Sequence, residues 1–370
     1  MVAIVSGLGL GLFNTSANTL GGASQAGPGN PGRNGEAITV NSATGNLVIQ
    51  QVDERLASVG LDTALIRTYN SRGEVDGDNN DGWRIGVYRR VHSLTGTVNT
   101  TGSTVTKTFG DGADIVYTYD AARGLYVSPE GEGAHDTLLF SANQWIWTDG
   151  SGRNTETYDW AGGAGKLLSS RDTDGNALTY GYTGSLLTSI IDASGQTTYL
   201  DYSGNNLTQI RVVSSGQTQT LTRYYYDASN RLTQVVVDLS PADNSVSLSD
   251  GNGDGMYDSI AGQTYVTRYT YEGASRRIAS IQQGDGTQVS FTYQLINGLY
   301  RVRTFVDAQG RITTFNYPGA SVSEYTLNSA ALTTPVPAWA SAVLLESSST
   351  IAENPQVAFD QNGNGWAVWR

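Results

Sequence analysis

The chain has 370 residues and no cysteine, with 22 Lys and Arg against 34 Asp and Glu for a net charge of −12. Without cysteine there are no disulfides, thiolate metal sites or cysteine nucleophiles, and the acidic balance opposes phosphate backbones, which argues against nucleic-acid binding. No run reaches the roughly 18 apolar residues of a membrane-spanning helix, while 45 Gly and 21 Tyr favour short strands joined by turns.

Residues 1–36 read as an apolar, glycine-rich leader and a flexible linker around Gly27-Pro28-Gly29-Asn30-Pro31-Gly32. The leader has no basic n-region, so a standard secretory signal fits poorly. Residues 37–148 read as an N-terminal β region. In it, two β-branched runs flank a Thr44-Gly45-Asn46 turn, the signature of a hairpin. Leu61 to Tyr69 and Gly82-Trp83-Arg84-Ile85 are further strand candidates, and strands alternating with Gly or Asn turns continue through residue 147.

From 149 to 318 the chain repeats itself. Tyr158-Asp-Trp160, Tyr180-Gly-Tyr182, Leu200-Asp-Tyr202, Tyr224-Tyr-Tyr226, Tyr269-Thr-Tyr271, Phe291-Thr-Tyr293 and Phe315-Asn-Tyr317 share one frame. The second member falls at 160, 182, 202, 226, 271, 293 and 317, giving gaps of 22, 20, 24, 45, 22 and 24. A period in this range marks a repeat architecture. A full copy continues through a turn to an apolar residue, a second one three positions later, and Asp-x-x-Gly. Leu187, Ile190 and Asp192 to Gly195 form one such set, and Leu299, Val302 and Asp307 to Gly310 another. Side chains alternate along a strand, so Tyr-x-Tyr places both rings on one face. The unit is a two-stranded hairpin that cannot bury its face alone, and its tyrosines are expected to pack by their rings with the hydroxyls solvated.

The gap of 45 holds an inserted hairpin at about 239–263. Asp250-Gly-Asn252-Gly-Asp254-Gly255-Met256-Tyr257-Asp258 matches the first half of a calcium loop. Asp250, Asn252 and Asp254 would supply side-chain oxygens, Met256 a backbone carbonyl and Asp258 a water contact. Ala261 stands where the bidentate Glu belongs, and the alternative is a solvated Asp/Gly turn. Residues 319–352 read as a linker. Residues 353–370 read as the strand-turn-strand opening of a further, propeller-like β module, which would make the chain a fragment of a larger modular protein.

These residues resemble the Rhs, or YD-repeat, family of bacterial polymorphic-toxin shells. The resemblance rests on Tyr119-Asp120, on Tyr226-Asp227 with Asn230-Arg231-Leu232, on the Asp-x-x-Gly turns, and on Arg67-Thr68-Tyr69 with Gly82-Trp83 upstream. It implies a spiralling antiparallel sheet that encloses a C-terminal effector. The Asp-Pro-x-Gly-Leu stretch that ends many family cores is absent, so self-cleavage does not carry over.

Catalytic patterns are weak. Glu130 with Glu132 and Asp172 with Asp174 are carboxylate pairs of the kind glycoside hydrolysis needs, but they lie in turn-like sequence. Neither His92 nor His135 has a nucleophile motif nearby. Trp145, Trp147 and Trp160 offer stacking surfaces for sugars, or else core. The sequence therefore reads as all-β, with antiparallel hairpin repeats forming an extended, curved sheet that is a partial shell or an open sheet. Its expected role is a non-enzymatic scaffold of a secreted or cell-surface bacterial toxin-type protein, with its own passenger domain as partner. The alternative is a calcium-stiffened adhesin that binds surface glycan or protein.

Overall fold

The computed structural model describes residues 37–317, apart from 42–43, 72–77, 111, 113, 129–134, 162, 244–245, 254 and 261, together with 324–328, 356–359 and 365–368. No α-helix occurs among them. The leader at 1–36 and most of the 319–352 linker lie outside the described residues.

The first sheet has four strands in the order β1 (Ala37–Val40), β2 (Leu47–Leu56), β3 (Thr63–Asn70) and β4 (Trp83–Ile85). The expected hairpin about Gly45 is the β1–β2 pair, with Val40 opposite Leu47. Eight further strands then close on themselves as an antiparallel barrel. They are β5 (Arg90–Thr95), β6 (Thr104–Thr108), β7 (Asp114–Asp120), β8 (Leu125–Val127), β9 (Thr137–Ser141), β10 (Gln144–Thr148), β11 (Thr155–Asp159) and β12 (Ala164–Arg171). Each strand supplies a side chain to a filled interior: Val91, Val105, Tyr117, Tyr126, Leu138, Trp145, Tyr158 and Leu167 are all fully buried. A barrel of this size is filled by its side chains. Trp145 stacks edge-on against Tyr126 at 5.0 Å.

Strand β12 is the branch point. Ala164, Gly165 and Lys166 pair with β5 and close the barrel. Farther along, Ser169, Ser170 and Arg171 pair with β13 (Ala177–Thr183). From there an antiparallel meander continues through β14 (Leu186–Ile191), β15 (Thr197–Ser203), β16 (Asn206–Ser214), β17 (Gln217–Tyr226) and β18 (Leu232–Asp238). It goes on with β19 (Thr264–Tyr271), β20 (Ile278–Gln283), β21 (Gln288–Ile296), β22 (Leu299–Val306), β23 (Ile312–Asn316) and β24 (Glu324–Asn328). The barrel thus spans the 148/149 boundary read from the sequence. Separately, residues from Ser329 onward form a second unit, in which β25 (Gln356–Phe359) pairs antiparallel with β26 (Gly365–Val368).

The repeat has a physical explanation in a recurrent β-bulge. Two apolar residues three apart on a regular strand would face opposite ways. In five hairpins the register shifts just before the second aromatic: in the first of them Tyr180 faces Ile190, whereas Tyr182 faces Leu187. Tyr202, Tyr226, Tyr271 and Tyr293 repeat the shift. The extra residue is Thr188, Thr208 or Thr233 in three hairpins, and its hydroxyl donates to the carbonyl of Gly181, Asp201 or Tyr225 across the strand pair. One inserted residue restores the shared face, so Leu187 with Ile190, Leu207 with Ile210 and Leu232 with Val235 are all buried.

The Asp-x-x-Gly turns close by one device. The carboxylate of Asp192 accepts the backbone N–H of Ser194 and of Gln196, each at 2.9 Å. Asp172 and Asp307 do the same two and four residues on, as does Asp227 in a turn that has Asn230 in place of the Gly. Such a carboxylate mimics a backbone turn.

Three expectations need correction. In the last hairpin the buried pair is Val302 and Phe305, not Leu299 and Val302; Leu299 is 43% exposed near the tip of a longer hairpin. The 239–263 insertion is not a hairpin, because its described residues are turns and irregular backbone without a strand. The tyrosine hydroxyls are not all solvated: those of Tyr271, Tyr293 and Tyr317 donate to the carbonyls of Leu232, Ile278 and Val302 at 2.6–2.8 Å.

Candidate functional site: the N-terminal sheet on the tyrosine column

The first sheet packs on the meander through polar side chains that are themselves buried. A bulge in β2 between Val52 and Glu54 sets Asp53 and Glu54 side by side. The Asp53 carboxylate receives Arg67 in bidentate fashion, Nε at 2.8 Å and Nη2 at 3.1 Å, and the Tyr224 hydroxyl at 2.6 Å. Arg67 also donates to the Tyr269 hydroxyl at 3.0 Å, and its guanidinium lies 4.3 Å from the Trp83 ring centroid. Both charged side chains are almost fully buried. Burial opposes the Arg67 charge, but Asp53 and the surrounding hydroxyls hold it firmly protonated. The Arg-Thr-Tyr and Gly-Trp motifs are thus the docking surface of the first sheet.

Other ties follow the same seam. Tyr69 donates to the Arg276 carbonyl at 2.8 Å and accepts from the Ile278 N–H at 3.2 Å. Trp83 Nε1 donates to the Tyr271 hydroxyl at 3.3 Å. Asp81 takes the N–H of Trp83 and of Leu232, one on each oxygen. Gly45, at φ +70°, donates no side chain but offers its carbonyl to the Val302 N–H at 2.9 Å; a Cβ there would collide with Arg301. Glu54 accepts from the Thr222 hydroxyl at 2.5 Å. Its burial pushes the carboxyl up to about 7, helped by Asp53 and Asp238 and opposed by Thr222.

A second buried cluster lies in the barrel. Lys107, with no exposed surface, stands 3.1 Å from Glu156 and directly over the rings of Phe109 and Trp147, at 3.4 and 3.7 Å. Arg89 and the Tyr158 hydroxyl donate to the remaining positions on Glu156. Burial lowers Lys107 to about 8 against the pull of Glu156. For Glu156, burial is outweighed by Lys107 and Arg89, which hold its carboxyl at about 2. Sequence reading passed over this cluster, although strand alternation marks it: Lys107 shares a face with Val105, and Glu156 with Tyr158.

The residues singled out for metal fall on the 239–263 loop. Asp250 accepts the N–H of Gly253 at 2.7 Å and of Gly255 at 2.8 Å. Asp258 accepts the Gly251 N–H at 2.9 Å and Arg268 at 3.1 Å. Asn252 and Met256 lie between them, and Asp254 lies outside the described residues. Among the described residues there is no group of three or more acidic or histidine side chains placed to hold a metal ion.

The remaining candidates take structural places. Asp172 and Asp174 belong to one turn, Asp172 accepting the Asp174 N–H. Glu130 and Glu132 lie outside the described residues. His92 bonds Ser93 and Thr108, and His135 is exposed. Trp145 and Trp147 are buried in the barrel and offer no open stacking face.

Residues 38–117, which run from β1 into β7, match a family model described as a domain of unknown function, DUF6531. No curated protein sequence matches the chain. Among solved structures, a TcdB2-TccC3-Cdc42 complex aligns at 14% identity over 79% of this chain and 18% of that one, with a TM-score of 0.31. The Photorhabdus luminescens Tc holotoxin pore aligns at 12% over 87% and 20%, TM-score 0.36. A porin-like protein from Bacteroides uniformis aligns at 13% over 65% and 97%, TM-score 0.25. The chain spans about a fifth of the length of the two toxin-complex chains. All three scores are too low to carry a functional assignment.

Proposed function

We propose that this chain is part of a non-enzymatic Rhs-type shell, a β-structure that holds a passenger segment of its own polypeptide within a toxin-type protein that is secreted or displayed at the cell surface. The observation that carries the reading is the hairpin unit with its own bulge, its own Asp turn and a tyrosine hydroxyl bonded to the preceding hairpin. Such a unit extends a sheet by repetition. The buried Arg67–Asp53 seam supports the same reading, since it fastens the first sheet to the repeats by side chains rather than by strand pairing.

The test is limited proteolysis of the full gene product with mass spectrometry. The expected result is a resistant repeat core and a C-terminal segment cut only after the core is denatured. Cleavage of that segment in the native protein as fast as in isolation would overturn the proposal.

The second reading is a calcium-stiffened adhesin that binds surface glycan or protein. What favours it is the organisation of the 250–258 loop. Gln234 fixes Tyr257 by two hydrogen bonds, at 2.5 and 3.0 Å, and Tyr257 stacks on Tyr225 at 4.8 Å. A loop pinned at one end is suited to bind a cation with little loss of chain entropy.

A further inference from the structure

A pocket of about 440 Å³ lies where the first sheet, the barrel and the start of the meander meet. Leu61, Ile66, Val87, Phe109, Leu178 and Ile190 give it mainly apolar walls. One wall is thin, because Gly86 and Gly110 pass so close that a Cβ on Gly110 would collide with the Gly86 carbonyl. Volume and lining are those of a small-molecule site, apolar with a few placed polar groups.

Two cationic groups on this pocket lack full hydrogen bonding: Lys107 Nζ, buried beside Glu156 without a hydrogen-bond partner among the described residues, and Arg89. Glu156 takes Arg89, Lys107 and the Tyr158 hydroxyl. Lys107 lies against two rings besides Glu156, with Asp136 also contributing to its electrostatics. At the rim, Asp62 pairs with Arg55 at 3.2 Å and accepts the Ser58 N–H, while Asp149 accepts the N–H of Ser151 and Gly152 from its own turn. Arg89 differs. Its Nε donates to the Gly86 carbonyl at 2.9 Å and its Nη1 to Glu156, but Nη2 has no acceptor among the described residues. The Arg89 side chain is 35% exposed and lines the pocket.

A guanidinium that offers free N–H groups beside an apolar space matches a carboxylate with an apolar body. The volume falls within the range of pockets that take small organic ligands. We infer that this pocket binds a small aliphatic or aryl carboxylate, its oxygens on Arg89 and its body against Phe109, Leu178 and Ile190. This is independent of the shell reading, which needs no ligand.

Octanoate is the probe, titrated into the intact chain by calorimetry with octanol and octylamine as matched controls. The expected result is saturable one-to-one binding with a Kd of order 1 mM or tighter, at least tenfold weaker for both controls. Ala64→Trp, at the half-buried rim on β3, is expected to abolish binding without lowering the melting temperature. Arg89→Met is expected to remove the preference for octanoate over octanol. Arg89 also holds Glu156, so if that variant does not fold, Ala64→Trp and the two controls decide the matter. Equal binding of octanoate and octanol, unchanged binding by Ala64→Trp, or no binding to wild type would each overturn the inference.

Discussion

Tyr271 donates its hydroxyl to the carbonyl of Leu232, 2.6 Å away and 39 residues earlier, and so ties two hairpins across the inserted loop. The same oxygen receives Trp83 Nε1 from the first sheet. Tyr271→Phe therefore strips a partner from two groups at once and is expected to cost about 1–3 kcal/mol in urea unfolding. Tyr182 occupies the equivalent place, but its hydroxyl makes no hydrogen bond among the described residues, so Tyr182→Phe is expected to fall within about 0.5 kcal/mol of wild type. Equal effects of the two would show that ring packing alone secures this position.

Arg67→Met leaves Asp53 buried with only the Tyr224 hydroxyl for a partner. Breaking a buried pair by removing one member costs about 3–5 kcal/mol. Arg67→Lys is expected to rescue only part of this, since an ammonium cannot reproduce the two-pronged contact with Asp53 or the stacking on Trp83. A double-mutant cycle with Asp53→Asn would isolate the coupling, and a value near zero would remove the pair from the account of docking.

Glu54 makes stability depend on pH in a direction opposite to that of Glu156. Its folded carboxyl sits at about 7 against an ordinary 4.5, so between those values the folded state binds more protons than the unfolded state. Stability from this group therefore falls as pH rises from about 4.5 to 7 and then levels. Glu54→Gln is expected to flatten that slope in urea melts and to stabilise the protein at pH 8. Glu156, held at about 2, contributes stability that is present above 4.5 and lost as pH falls through 2.

The bulge is testable by deletion. Removing Thr208 sets Leu207 and Ile210 two apart, which on a regular strand keeps them opposite Tyr202 and Leu200 and on one face. The deletion is therefore expected to be tolerated in circular dichroism melts, losing the bulge and its local twist but not the shared face. Thr208→Ala keeps the residue count and loses only the bond to the Asp201 carbonyl, about 1 kcal/mol. A large loss of stability on deletion would show that the bulge does more than keep the two apolar residues on one face.

Calcium at the 250–258 loop is checked by melting. Ligand binding to the folded state alone raises stability by mass action. Calcium is expected to raise the melting temperature, EDTA to reverse the rise, and Asp250→Ala to abolish it, with proteolysis between residues 245 and 262 slowed in parallel. An unchanged melt with unchanged cutting would remove calcium from the protein's function.

Much of the meander was legible because its information is local. Tyr-x-Tyr, the apolar pair three residues on and the Asp turn all lie within one hairpin, and each has a fixed place in it. The mismatch between a spacing of two and a spacing of three already implied a bulge. Leu299 misled because the β21–β22 hairpin is longer than its neighbours, which moves the buried pair toward the end of β22. The closure of β5 on β12 was not legible, since Ala164 opposite His92 leaves no periodic trace in either segment. Lys107 and Glu156 were legible by strand alternation, but a charge on an inward position reads as a solvated residue until its partner on another strand is known. Arg89 lies in a turn, where no periodicity points to it.

The recurrent bulge has a consequence for how such a chain can change length. Each hairpin that carries the bulge resets its own alignment, so gaining or losing one whole such copy leaves the neighbours' pairings intact. A gain or loss of one residue within a strand, other than at the bulge, would shift aromatic against aliphatic partners in that strand's own pairings. The insertion after Asp238 obeys this rule by staying outside the strands, with the Gln234–Arg268 and Asp238–Thr264 pairings unbroken on either side. Genetic exchange among copies of this unit is therefore expected to preserve foldability when it trades in whole hairpins or in loops between them.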